Sequence, residues 1–218
     1  MGWLKRLLGS QAPASTSQAQ PQSPPFGLAS GRSPALAAAL GERLSGHSQL
    51  LLPEGPQTVW ALGEVDLGDS VRLARFYFDD EDYWLQVLTT GTHPAAASDI
   101  VLFGYHRVQP IEGDDDFQRL AGARSSLGLP QVVHDGEIFS RQWGVQAGQA
   151  RLVPLIERVV NTQARYTVRH LSMLYARDIG LADRREFLLF SVEEDEAGTT
   201  CLSTSLGVTL HPTDFTVT

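Results

Sequence analysis

The chain has 218 residues, an apolar fraction of 42% and a formal net charge of -8, from 17 Lys plus Arg against 25 Asp plus Glu; that suffices for one sizeable core or for two small domains sharing an interface. An acidic body repels phosphate backbones, which argues against nucleic acid as a partner. Lys5 is the sole lysine and Cys201 the sole cysteine, so a P-loop or Schiff-base lysine in the body, an internal disulfide and a multi-cysteine zinc site are all excluded, and the chain fits a reducing, cytoplasmic compartment.

The first nine residues carry Trp3, Leu4, Leu7 and Leu8 at helical spacing with Lys5 and Arg6 beside them. That is the pattern of a short amphipathic turn in an anionic membrane interface, and equally of a tip that docks on its own body; it is too short for a signal-peptide core or a membrane span. Residues 10–30, rich in Ser, Gln, Ala and Pro in their first part, read as a disordered tether. Ser33 and Pro34 then open a helix with Leu36, Leu40 and Leu44 on one face before Gly46.

From Gln49 the apolar period changes to two. Strands are expected at 58–65, 70–78, 83–88, 100–108, 137–143, 155–160, 165–176, 186–192 and 201–210. The clearest hairpin joins 70–78 to 83–88 through Asp79-Asp80-Glu81-Asp82. A second helix is expected from Asp114 to about Ser126, with three aspartates favourable to its dipole. The resulting fold class is α+β, strand-dominated antiparallel sheets with two short helices, either as one domain over 31–218 or as two β subdomains divided near 112–130.

No motif names a cofactor, a metal or a catalytic group. The consecutive acids of 79–82, and those of 193–196, lack the spacing of a calcium loop and read as solvated turns; Asp114, Asp115 and Asp116 read as helix N-terminal residues. The likeness between Phe76–Asp82 and Phe190–Glu196 reads as turn chemistry, with an internal duplication as the alternative. Cys201 sits in ordinary strand composition with no nucleophile signature around it. The six histidines show neither an i, i+4 pair nor a two-apart strand pair, so each reads as structural or superficial.

Two features remain as candidate contacts. Arg165 and Arg169 share one face of a long strand, where guanidinium groups can grip carboxylates or phosphates, or can simply balance acids across the sheet. Together with His170 they are the candidate ligand residues. Aromatic residues crowd the middle hairpin, and because neighbours such as Tyr77 and Phe78 point to opposite faces, Tyr77 and Trp84 are candidates for an exposed partner contact.

At Val65-Asp-Leu-Gly68, Phe76-Tyr77, the strand ending Thr89-Thr-Gly91, Asn161 to Tyr175 and Leu206-Gly-Val208, the chain resembles the YjfK-like family of bacterial proteins, a domain of unknown function. The resemblance runs from Gly27 to the end, and the basic aromatic tip is similar to the start of family members. It carries no active site over. It implies an accessory role at the inner membrane, because genes of that family often sit beside one for a membrane-stress protein resembling phage-shock protein A, beside small membrane proteins and beside an enzyme resembling glutathionylspermidine synthase. The long Ser/Gln/Pro tether departs from the family pattern.

Three classes of function stay open on these grounds. The first is a non-enzymatic binding module peripheral to the cytoplasmic membrane, held by Trp3, Leu4, Lys5, Arg6, Leu7 and Leu8. The second is a small-molecule sensor or enzyme taking an anionic ligand at Arg165, Arg169 and His170. The third is an oligomer subunit joined through Tyr77 and Trp84.

Overall fold

The computed structural model describes residues 25–91, 97–194 and 200–218. These form twelve strands and two short α-helices: β1 (Pro34–Leu36), α1 (Leu40–Leu44), β2 (Val59–Gly68), β3 (Val71–Phe78), β4 (Tyr83–Thr90), β5 (Ala97–Ile111), α2 (Asp114–Leu120), β6 (Gln131–His134), β7 (Glu137–Arg141), β8 (Val153–Asn161), β9 (Arg165–Asp178), β10 (Arg185–Glu194), β11 (Thr200–Leu210) and β12 (Phe215–Val217). Eight of the strands pair antiparallel in the order β10-β11-β5-β4-β3-β2-β8-β9, and β9 pairs back to β10, closing a barrel. Closure covers most of the edges of these eight strands, while β7 adds to β9 at Ser140 and Arg141 and carries β6 as an outer edge. Strands from both sides of 112–130 belong to this one closed sheet, which is better described as a mostly-β barrel than as α+β.

Alternation along each strand sends one set of side chains into the barrel and the other outward. Arg75 and Tyr77 point in, whereas Phe76 and Phe78 join the outer apolar cluster. That outer cluster includes Leu85, Leu102, Leu188 and Val208, and it is covered by Leu28, Leu40 and Leu44 from the segment before β2 and by Val132 and Phe139 of the β6–β7 hairpin. Burial of these side chains, each worth about 1.5–3 kcal/mol, packs the segment from Leu28 to Leu44 onto the barrel wall.

The expected helix from Ser33 is split. Ser33 and Thr218 exchange both backbone hydrogen bonds, at 2.9 and 3.0 Å, and Pro34–Leu36 pairs with β12 as a strand. Only Leu40–Leu44 is helical; a long-range strand partner outweighed local helical spacing. The second helix also ends sooner, at Leu120. Leu28, within the segment expected to be a tether, is completely buried against the barrel. The acidic link 79–82 is the expected hairpin turn: Asp79 Oδ1 accepts from the Thr58 N–H at 2.9 Å, and Asp80 Oδ1 accepts from the Asp82 N–H at 3.0 Å.

Candidate functional site

The barrel interior holds a buried ionic network. Glu157, on β8, accepts from the Tyr77 hydroxyl at Oε1 (2.7 Å) and from the Arg75 guanidinium at Oε2 (2.7 Å), and the same Oε2 lies 3.0 Å from His170 Nε2. His170 Nδ1 faces Ser191 Oγ at 3.1 Å and Glu193 at 3.4 Å, while the Ser203 hydroxyl donates to Glu193 at 3.2 Å. Gly63 on β2 makes room for this, because a Cβ there would collide with the Glu157 carboxylate.

Each charge in the network is held by its partner against the cost of burial. Burial alone would raise the Glu157 carboxyl, yet Arg75, His170 and Tyr77 outweigh it and hold the group down at about 2. Burial would likewise lower His170, but hydrogen bonds to Glu157 and Glu193 prevail and bring it up to about 9. His170 is therefore an imidazolium at neutral pH. Burial, followed by the Glu157 charge, pushes the Tyr77 phenol well above its ordinary range.

These are the groups a catalytic site would be built from, but the space they line is about 10 Å³, room for one water at most. Tyr77 and Trp84 lie in the same interior, 4% and 2% exposed, with Trp84 stacked on Phe103 at 5.1 Å between ring centroids. The exposed aromatic contact expected of them is not formed, because strand parity turns both rings into the barrel. His170 is likewise separated from the arginines it neighbours in sequence.

Those arginines lie outside. Arg165 and Arg169 are exposed on the outer face of β9, and their cross-strand neighbours on β8 are Val160 and Ile156, not acids. Neither forms a hydrogen bond or ion pair among the described residues. Arg158, exposed on β8, stands opposite Glu64 of β2 without pairing to it. Ile156, Val160 and Leu171, beside the arginines, are 58%, 38% and 38% exposed. The same face leads to a groove of about 640 Å³ whose lining includes Phe117, Pro154, Ile156, Arg169, Leu171 and Val192. The groove follows the barrel seam, where β9–β10 pairing stops at Leu171 and Val192.

A model of one protein family, described as a protein of unknown function (DUF2491), matches residues 3–216. The chain belongs to the DUF2491 family. That assignment is consistent with the YjfK-like resemblance. No curated protein and no solved structure matches the chain. No helix among the described residues is long and apolar enough to cross a membrane, and residues 3–8, on which the membrane contact was expected, lie outside the described residues.

A third group of polar side chains gathers elsewhere on the surface: His106 of β5 with His134 and Asp135 of the β6–β7 hairpin, their ligating atoms all within 4.8 Å of one another. Sequence spacing gave no hint of it, since 28 residues separate the two histidines. Only the Asp135-Gly136 turn was available as a signal, and it marks a hairpin rather than a ligand.

Proposed function

We propose that this DUF2491 protein is a non-enzymatic binding module that docks the outer face of β8 and β9 against an anionic, partly apolar surface, and that this surface is an anionic membrane at the cytoplasmic face. One observation carries the proposal: Arg158, Arg165 and Arg169 are exposed, form no ion pair among the described residues, and stand beside exposed Ile156, Val160 and Leu171. Guanidinium groups bind phosphate in a fork geometry and are weakly hydrated, so they suit a headgroup layer. Apolar side chains between them add buried area. Elsewhere the acidic surface of the body is repelled, which orients the protein with this face toward the lipid.

The tip would supply a second, independent contact through Trp3, Leu4, Lys5, Arg6, Leu7 and Leu8, since two weak signals on one chain combine into stable attachment. An accessory role in a membrane-stress system, beside a protein resembling phage-shock protein A, belongs to the same proposal. The test is co-sedimentation of the full chain with phosphatidylcholine vesicles and with vesicles containing phosphatidylserine. The expected result is binding to the anionic vesicles alone, weakened by salt and abolished in the Arg165→Glu/Arg169→Glu double variant. Equal binding to both vesicle types, or binding that ignores the double variant, overturns it.

The seam groove supports a second reading, a sensor for a soluble amphiphilic anion. Its wall is mainly apolar, and Arg169 lines it together with Glu193 and Glu194. A rise in melting temperature with decanoate that is lost in Arg169→Ala, without vesicle binding, would favour the sensor over the membrane module.

A further inference from the structure

We infer that His106, His134 and Asp135 form a binding site for one divalent transition-metal ion of the zinc type. Two backbone irregularities create it. In β5, Tyr105 pairs with Ser205 and Arg107 with Thr204, so His106 is the extra residue of a bulge and stands out from the barrel wall. In the β6–β7 hairpin, His134 pairs with Glu137 and the two linking residues, Asp135 and Gly136, both have positive φ, 45° and 85°. This is the two-residue turn that Asp-Gly favours, and it sets Asp135 beside His134 at the hairpin tip, facing the bulge.

The two separations from the carboxylate suit ligands around an ion better than they suit direct contacts, and all three ligand atoms lie within 4.8 Å of one another. Asp135 Oδ2 lies 3.4 Å from His106 Nε2 and 3.6 Å from His134 Nε2. Zinc bonds of about 2.0–2.2 Å in tetrahedral array put ligand atoms about 3.3–3.5 Å apart. His134 Nε2 is buried without a hydrogen-bond partner among the described residues, a costly arrangement for a ring nitrogen that serves no purpose. The two imidazoles meet edge to face at 4.9 Å between centroids, so both converge on the one carboxylate.

The surroundings hold the ligands in place. His134 rests edge-on against Phe139, at 6.4 Å. Gln49 Nε2 donates to the Asp135 carbonyl at 3.1 Å, fixing the turn from the segment that precedes β2. Two imidazoles and one carboxylate select zinc or its neighbours cobalt, nickel and copper over calcium and magnesium, which require oxygen ligands. His106 and Asp135 remain partly open to solvent, with side chains 38% and 59% exposed, so a fourth position faces outward to water or to a ligand from a partner. A bound ion would clip the β6–β7 hairpin to the barrel wall.

The experiment uses the full chain without an affinity tag, stripped with EDTA and titrated with Co²⁺ and then Zn²⁺. The expected result is the visible absorption of tetrahedral cobalt, displaced by zinc at one ion per chain, with a higher melting temperature in the zinc form. His106→Ala and Asp135→Asn, both at exposed positions, should each weaken zinc binding at least tenfold while leaving the metal-free melting temperature unchanged. His134→Gln should do the same to binding. Absence of saturable binding, or zinc affinity unchanged in His106→Ala and Asp135→Asn, overturns the site. Arg165→Glu/Arg169→Glu should bind zinc like the parent, which separates this test from the vesicle experiment.

Discussion

Arg169 and His170 are adjacent in the chain and opposite in fate. His170 points into the barrel, 4% exposed, and meets Glu157 and Glu193. Arg169 points outward beside Ile156 and meets no acid among the described residues. The difference follows from energetics. A buried charge without a partner is strongly destabilising, so the inner face must be neutralised at fixed geometry. An exposed arginine keeps its hydration and needs no partner. The inner face is therefore committed to holding the fold, whereas the outer face is free of that constraint.

The largest expected effect breaks the inner face at its centre. Glu157→Ala removes the common partner of Arg75, Tyr77 and His170, leaving Arg75 buried without its carboxylate and His170 with Glu193 alone, for an expected loss of about 3–5 kcal/mol in urea unfolding. Gly63→Ala comes next. Its new methyl would enter the space of the Glu157 carboxylate and sit 3.1 Å from the Tyr77 ring, and overpacking of this kind costs about 1–3 kcal/mol. If Gly63→Ala melts like the parent, the carboxylate is not held where the network requires it.

Titration sharpens the comparison. His170 is raised from 6.5 to about 9, so its stabilisation is complete below pH 6.5 and is lost as pH rises through about 9. Glu157 is lowered from 4.5 to about 2, so its stabilisation is complete above pH 4.5 and is lost as pH falls through about 2. Between pH 4.5 and 6.5 this pair leaves stability flat. Melting temperatures at pH 6, 7.5 and 9.5 should fall toward the alkaline end in the parent. His170→Gln should start lower and lack that fall; a variant that keeps the full alkaline slope would place the responsible group elsewhere.

Much of the strand order was legible because alternation is a local signal. Ser70–Phe78 and Tyr83–Leu88 were expected as a hairpin and occur as β3 and β4. Closure was not legible, since nothing in 165–176 and 186–192 says that β9 pairs with both β8 and β10. The parity of β9 did separate Arg165 and Arg169 from His170, but which face was interior depended on closure. Tyr77 and Trp84 were misplaced for the same reason: alternation shows that one aromatic must point away from its neighbour, whereas a barrel with a wrapped outer wall buries both faces. Leu36 shows the converse error, a helical spacing overruled by a C-terminal strand more than 170 residues away. The cluster of His106, His134 and Asp135 depends on a bulge and a turn meeting across the wall, and neither has a sequence signature for the other.

The smallest effect on stability should come from the outer face, and there the two neighbours can be set against each other. Exposed substitutions away from partners change stability by no more than about 0.5 kcal/mol, so Arg169→Ala and Arg165→Ala should melt like the parent. Each arginine near an anionic lipid surface contributes about 1 kcal/mol, so each neutralisation should weaken vesicle binding about fivefold, and the loss should shrink as salt screens the parent. His170→Gln should show the reverse, a lowered melting temperature with unchanged vesicle affinity for the fraction that remains folded. Coupled losses in both assays from Arg169→Ala would mean that the outer arginines hold the barrel together after all. A loss of vesicle affinity in folded His170→Gln would mean that the ionic interior communicates with the surface through the seam, and the division of β9 into a holding face and a binding face would fail.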